Sequence, residues 1–393
     1  MKTIIQLPFI TLSLMISFAS VNAVLFSPAL PSIAKFFSIS DITAQQTITW
    51  FLIGYALGQL VYGPIANRFG RKPALYAGIT LQVASSFLCI CAGYMHRYPV
   101  LVLGRFLLAL GSGVGLKMTF TLVHECYDIK MASQTISYLM LAFAVTPGLG
   151  IALGGILTSH FGWVSCFYAG ALYGLILLLL VGRLPETQKN LNYDALKLSH
   201  LLRGFSEQFK NFQLIAGGLL MGACTSFVYV FAAIAPFIAI NTFGMSSAEY
   251  GIANILPPLG LILGSLYGAK LTNKYSLQSI ILIGIYIVTA GVMTMGILLF
   301  AKIPILFSLF IPTIIIYFGL CLILANASSI AMNRSNDTAH ASAVMSFINM
   351  GTATVIVLSM GIFTINIILL PAIYLMLIIF MMSMYKWLML SKV

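Results

Sequence analysis

The chain reads as an all-α polytopic membrane protein, with 12 transmembrane helices in two six-helix bundles. Three observations predict this. Of its 393 residues, 60% are hydrophobic and only 7% charged, whereas soluble domains carry roughly a quarter charged residues. Apolar runs of about twenty residues recur along its length, each enough to cross a hydrocarbon core of about 30 Å. The longest polar segment, LPETQKNLNYDALKLSHLLRGFSEQFKN, sits at the centre and separates residues 1–183 from 211–393 across a 184–210 linker. The alternating ten-residue pattern of a membrane β-barrel does not occur.

Apolar runs between polar breaks place the first six spans near 8–30, 46–66, 73–95, 98–121, 133–157 and 161–183. The second six fall near 211–240, 249–270, 277–300, 303–325, 341–363 and 364–388. The first run, ending VNA, has the layout of a secretory signal. Cleavage after Ala23 would remove one member of the first helix pair, so the run is read as a retained span. In the linker, LSHLLRGFSEQF has the pattern of an amphipathic helix on the membrane surface.

The net charge of +12 is topological. Lys2, Arg68, Arg71, Lys72, Lys130, Arg183, Lys189, Lys197, Arg203, Lys210, Lys270, Lys274, Arg334, Lys386 and Lys392 fall on one side of the predicted spans. Lys35, Arg97 and Lys302 fall on the other. Positive charge stays on the cytoplasmic side, which places both termini and the linker there. No basic cluster interleaves with aromatics outside the spans, which excludes nucleic acid as a partner. Cys89, Cys91, Cys126, Cys166, Cys224 and Cys321 lie in or beside apolar runs without metal-ligand spacing, so they read as packing residues and no metal is expected.

The two halves echo one another. YGPIANRFG from Tyr62 and YGAKLTNKYS from Tyr267 each follow the second span of their half, with one residue inserted in the later copy. Internal repeats with a substrate site at their interface are a common plan of secondary transporters.

GPIANRFGRKP resembles the loop motif of the major facilitator superfamily, G-x-x-x-D-R-x-G-R-K, between spans two and three. PALPSIAKFF, GYALGQLVYGP, LGRFLLALGSG, LPET and HASAVMSF extend the resemblance over nearly the whole chain. It is closest in kind to the drug:proton antiporter branch, and most like the bicyclomycin-resistance subfamily. The resemblance implies two six-helix bundles around a central cavity, working by alternating access as a monomer in a bacterial inner membrane. The cargo would be a small organic solute, coupled to protons, with no cofactor beyond the surrounding lipid. It also implies a gate built from Gly63, Asn67, Arg68, Gly70, Arg71 and Lys72, with Arg71 paired to Glu125 in VHECYD and position 67 set against the start of span eleven.

The chain departs from that pattern at three places. Asn67 replaces the motif's acid; it can cap a helix but forgoes a charge–dipole term of about 0.3–1 kcal/mol, which predicts a weaker latch. Val24, with Asn22 nearby, stands where relatives carry an aspartate in span one. Ile151 replaces the proline of the exporters' G-P-x-x-G-G, although Pro147 and Gly148 sit one turn earlier, and Gly150, Gly154 and Gly155 keep a small-residue packing face.

Ionisable residues inside spans are costly and functional by default. The deep charges are Arg105, matching RFxxG of the family, and Lys117, both on span four. They lie about 18 Å apart along a helix. Arg105 fits either a functional charge or a structural arginine bonded to carbonyls, and Lys117 either a cavity cation or a residue snorkelling to the surface. If both line the cavity, it favours an anionic or zwitterionic solute. Glu125, His124 and His340 are the candidates for proton coupling, with His124 equally readable as a loop-end residue in water. Asn22, Tyr55, Gln59, Gln82, Tyr229 and Asn326 are candidates for solute contact, or for helix–helix hydrogen bonds.

No nucleophile–base pair or metal-ligand set appears at span depth, and GSGVG at 111–115 follows no strand, so no enzyme is predicted. A channel would not need the repeated halves and gate loop. The alternatives that stay open are outward transport of drugs or metabolites, and an uptake permease or exporter for an anionic metabolite such as a siderophore.

Overall fold

The structure is a computed structural model that describes residues 7–188, 191–193, 195, 206, 208–332 and 338–390, without the side chains of 129, 130, 133, 137, 141, 144 and 338–340. Eleven helices are long and apolar enough to cross a membrane. They are α1 (Phe9–Phe37), α2 (Asp41–Phe69), α3 (Arg71–Tyr94), α4 (Tyr98–Cys126) and α5 (Gln134–Phe161), then α7 (Phe212–Thr242), α8 (Ser247–Leu271), α9 (Leu277–Phe300), α10 (Leu306–Met332), α11 (Ala341–Ile362) and α12 (Leu369–Leu390). The twelfth, α6 (Ser165–Val181), is shorter, at 17 residues against the 161–183 expected. At 1.5 Å per residue it is about 25 Å long, just short of a full hydrocarbon core.

Sequence chemistry sets the ends. Ser40, Asn211, Ser246 and Ser276 cap α2, α7, α8 and α9 through side-chain oxygens that accept backbone N–H groups. At Ser246 the cap is reciprocal, because Glu249 accepts the Ser246 backbone N–H. Prolines bend rather than end several helices. Pro28 lies in a short 3-10 turn within α1, Pro236 precedes a π turn closing α7, and Pro257 and Pro258 restart α8 after a break. Several spans run further than apolarity alone predicted: α1 continues past 30 to Phe37, α4 past 121 to Cys126, α10 past 325 to Met332. The extensions carry exposed polar or charged residues, Lys35, His124 and Ser329 among them. The predicted surface helix of the linker lies largely outside the described residues, as do Lys2, Lys189, Lys197, Arg203, Arg334 and Lys392.

The helices form two six-helix bundles. In the first, α4 packs on α2 and α3, α3 on α6, and α1 on α5; in the second, α10 packs on α8 and α9, and α7 on α10, α11 and α12. Glycine makes these approaches possible. The 111–115 run, already excluded as a nucleotide loop, is a three-sided packing surface. A Cβ on Gly111 would meet Gly78 O of α3 at 2.5 Å, on Gly113 the Gly58 backbone of α2 at 3.1 Å, and on Gly115 Met15 O of α1 at 2.2 Å. Small residues substitute for hydrophobic drive between helices in lipid.

The bundles meet along two seams, α5 on α8 and α2 on α11. The hydrogen bonds between bundles, among the described residues, are Ser27 Oγ to Ala232 O (2.7 Å), Gln45 Nε2 to Val357 O (3.2 Å), Asn241 Nδ2 to Asp41 Oδ2 (3.3 Å) and Ser247 Oγ to Pro28 O (3.2 Å). All join the end of the molecule opposite the 63–72 loop. The echo between halves is looser than the sequence suggested. Tyr62 is buried, whereas Tyr267 is exposed beside Lys270, and the break at Gly70 is one residue against a turn of several before Leu277.

Candidate functional site

At the loop end, α2 stops at Phe69 and α3 starts at Arg71. The turn rests on Gly70, at φ 107°, where a Cβ would also lie 2.7 Å from Glu186 Oε2. Glu186 follows α6 and caps α3: Oε1 accepts the Arg71 backbone N–H at 3.0 Å and Oε2 that of Lys72 at 2.9 Å. Burial opposes ionisation of Glu186, but the N–H groups of Gln188, Arg71 and Lys72 and the Arg71 charge outweigh it and hold the carboxyl below its usual range.

The Arg71 side chain then turns to α4. Its Nη2 is 2.7 Å from Glu125 Oε1, its Nε 3.2 Å from the same oxygen, and its Nη1 donates to Asn67 Oδ1 at 2.7 Å. The Thr187 hydroxyl donates to Glu125 Oε2. The Asn192 backbone N–H donates to Asn67 O at 2.9 Å, Lys72 Nζ to Gly182 O at 3.0 Å, and Arg68 to Tyr193 O, beside the Tyr193 ring. The expected Arg71–Glu125 pair therefore forms. The expected place of Asn67, against the start of span eleven, involves residues outside the described ones; among those described, its carboxamide accepts from Arg71, four residues on in the next turn. Glu186 and Thr187 were not singled out in the sequence. Their one signal was the position of LPET directly after a span. Beside the cluster His124 is exposed; the side chain of His340 lies outside the described residues.

Deeper in the first bundle, Arg105 is fully buried. Its guanidinium carbon lies 3.7 Å from the Phe26 ring centre and 4.4 Å from that of Phe51. Nη1 donates to Asn22 O at 2.8 Å and Nη2 to Ala23 O at 3.4 Å, while Nε has no partner. Asn22 and Gln82 do not present themselves to a solute. The Asn22 amide donates to Phe18 O, and Gln82 Nε2 bridges Asn22 Oδ1, Ser86 Oγ and Gly170 O at 3.0–3.1 Å in a buried network. Asn326, also buried, donates to Leu322 O at 2.7 Å. These three are helix partners.

Tyr55, Gln59, Tyr229, Arg105 and Lys117 behave differently. The Tyr55 hydroxyl lies beside the Gln59 side chain and within electrostatic reach of Tyr229 on α7, which in turn is within reach of Arg105. Lys117 Nζ donates to Gln59 O at 3.2 Å. A Cβ on Gly63 would stand 2.6 Å from that Nζ, so the glycine leaves the ammonium its room. Gln59 is the shared member: its carbonyl takes Lys117 and its side chain lies beside the Tyr55 hydroxyl.

The α5 glycines divide between two neighbours. A Cβ on Gly154 would sit 1.6 Å from Leu25 O of α1, while one on Gly148 would meet Pro258 and one on Gly155 Ser247 O (2.3 Å), both of α8. Gly150 meets nothing closer than 3.6 Å, so it is not needed for the packing face expected of it. Pro147 lies within the helix one residue before this stretch, and Ile151 is buried in it.

A family model described as Major Facilitator Superfamily matches residues 12–360. An uncharacterized transporter of Rickettsia felis is 28% identical over 70% of this chain and 67% of its own length. A bicyclomycin resistance protein homolog of Haemophilus influenzae is 24% identical over 67% of this chain and 66% of its own. The chloramphenicol resistance protein CraA of Acinetobacter baumannii is 26% identical over 68% and 64%. The matched segments thus span about two thirds of these curated relatives. Among solved structures, a D-xylose-proton symporter superposes with a TM-score of 0.77 over 95% of this chain and 96% of its own, at 15% identity, a likeness of fold.

Proposed function

Because the chain belongs to the Major Facilitator Superfamily, we propose that this secondary transporter moves small organic molecules outward, coupled to protons, by alternating access of one central site. The observation that carries this reading is the gate cluster. Five segments (the ends of α2 and α4, the start of α3, the exit of α6 and the stretch after it) converge on Arg71, while the hydrogen bonds between bundles sit at the opposite end. A rocking transporter needs both: a rigid clamp within one bundle and a seam that alternately closes and parts. The names of the relatives, resistance proteins against bicyclomycin and chloramphenicol, favour the outward direction. The distribution of Lys and Arg supports a cytoplasmic 63–72 loop and cytoplasmic termini; on that reading the conformation is inward-facing. Both six-helix bundles come from one chain, which supports a monomer in a bacterial inner membrane as the working unit.

The test is an accumulation assay with labelled chloramphenicol in cells that do or do not express the protein. Export predicts lower accumulation in expressing cells, restored when the pH gradient is collapsed, and no effect from an Arg71→Ala chain that still reaches the membrane. Higher accumulation in expressing cells would replace export with uptake. Protease protection of tags at both termini checks the orientation.

A further inference from the structure

We infer that the transported solute is an organic anion bearing a carboxylate, and that Lys117 holds its charge; this rests on the transporter reading above. Lys117 is half-buried, and its ammonium has three N–H donors, of which the Gln59 carbonyl takes one. The ion pair found among the described residues is Arg71–Glu125, so Lys117 is left with a backbone carbonyl and no carboxylate. A lysine at this depth is costly unless paired. Its ammonium packs at the level of Gly63, six residues or about 9 Å from the loop end of α2 at 1.5 Å per residue. Gly63, lacking a Cβ, lets Nζ pack against the α2 backbone.

Charge along the route favours the same cargo. The chain has 8 acids; the five described, Asp41, Glu125, Asp128, Glu186 and Glu249, each lie in a loop or at the end of a span, and in the sequence the other three fall in polar segments between the apolar runs. A cationic solute crossing the bundle would find no carboxylate at depth to replace its water. An anion finds Lys117 first. Gln59, whose carbonyl takes Lys117, also lies beside the Tyr55 hydroxyl, and deeper in the bundle the Arg105 Nε is buried and unpartnered. At the loop end Glu125 offsets Arg71 and Glu186 lies beside Lys72, so the charge left nearest the bundle interior on this side is that of Lys117.

The experiment uses the full chain in proteoliposomes. Binding and flux are measured for citrate, benzoate and 5-carboxyfluorescein, and for tetraphenylphosphonium as the cationic probe, with Lys117→Met and Lys117→Arg beside the unaltered protein. At least one anion should bind, about tenfold or more weakly in Lys117→Met and within about threefold of the unaltered protein in Lys117→Arg, a tenfold change being about 1.4 kcal/mol. Unchanged anion binding in Lys117→Met, or binding of tetraphenylphosphonium alone, would overturn the inference. If Lys117→Met fails to fold, Lys117→Gln, which can still donate to the Gln59 carbonyl, takes its place. Flux of the cation alone would leave the transporter standing and remove the anion. Lys117-dependent anion binding with no flux of any probe would support the anion site and remove the transporter reading.

Discussion

Arg105 carries a full charge into a bundle where only two carbonyls and two aromatic faces meet it. A planar guanidinium can do both, stacking on rings and bonding at its edge, where an ammonium can do only one at a time. Its removal leaves the Asn22 and Ala23 carbonyls without their donor, a cost of about 1–3 kcal/mol for each buried group left unpaired. Arg105→Leu should therefore lower the melting temperature of the detergent-solubilised protein, and Arg105→Lys should recover only part of the loss. An unchanged melting point for Arg105→Leu would show that the two carbonyls find other donors. The sequence placed a charge deep in span four but left its role open between function and structure. Phe26 and Phe51, which decide it, come from two other helices, and no periodicity within span four points to them. Asn22 and Gln82 were open for the same reason. A polar residue on a span looks alike whether its partner is a solute or a neighbouring helix, and only the meeting of α1 with α3 shows the latter.

The start of α3 is fixed by a group from outside its own helix. The first N–H groups of a helix have no partner within it, and here a carboxylate from beyond α6 takes those of Arg71 and Lys72. The charge also favours the positive end of the helix dipole, worth about 0.3–1 kcal/mol and screened by salt because Glu186 is largely exposed. The sign of its pH dependence follows from the lowered carboxyl. A group that ionises more easily when folded adds stability above its unfolded value, near 4.5, and loses it as pH falls through the lower folded value. Exchange of the Arg71 and Lys72 amides, corrected for intrinsic rates and followed by mass spectrometry, should thus accelerate as pH drops below about that point. Glu186→Gln should remove the acceleration while keeping a hydrogen-bonded cap; persistence of the same pH profile in that variant would assign it to another group. Helix α3 itself was legible from apolarity to within two residues. Its cap was not, because Glu186 lies more than a hundred residues away and reaches the turn only once six helices have packed.

At the scale of the whole molecule, alternating access requires that the bonds between bundles be few and confined to one end at a time. The four side-chain bonds Ser27–Ala232, Gln45–Val357, Asn241–Asp41 and Ser247–Pro28 meet that requirement among the described residues, all at the end away from Arg71. The two-bundle plan was legible from the central polar segment and the alternating charges. The closed end was not, because two conformations of a rocking pair share one sequence and one set of spans, and differ by small free energies spread over a seam. The α5 glycines locate that seam: Gly154 is locked to α1 of its own bundle, whereas Gly148 and Gly155 touch α8 of the other, so one helix is both strut and sliding surface. Each bond is exposed to test by a reversible tether. Cysteines introduced for Asp41 and Asn241, with exposed Cys91 changed to serine, should be joined by a short methanethiosulfonate cross-linker, because the native side chains approach to 3.3 Å. The tether should stop transport nearly completely, since the bundles can then no longer part at that end, and reduction should restore it. A cysteine pair on the same bundle, labelled equally, should leave transport intact. Full transport in the cross-linked Asp41–Asn241 chain would mean that this end never opens, and a channel-like or single-sided mechanism would have to replace rocking about the α2–α11 and α5–α8 seams.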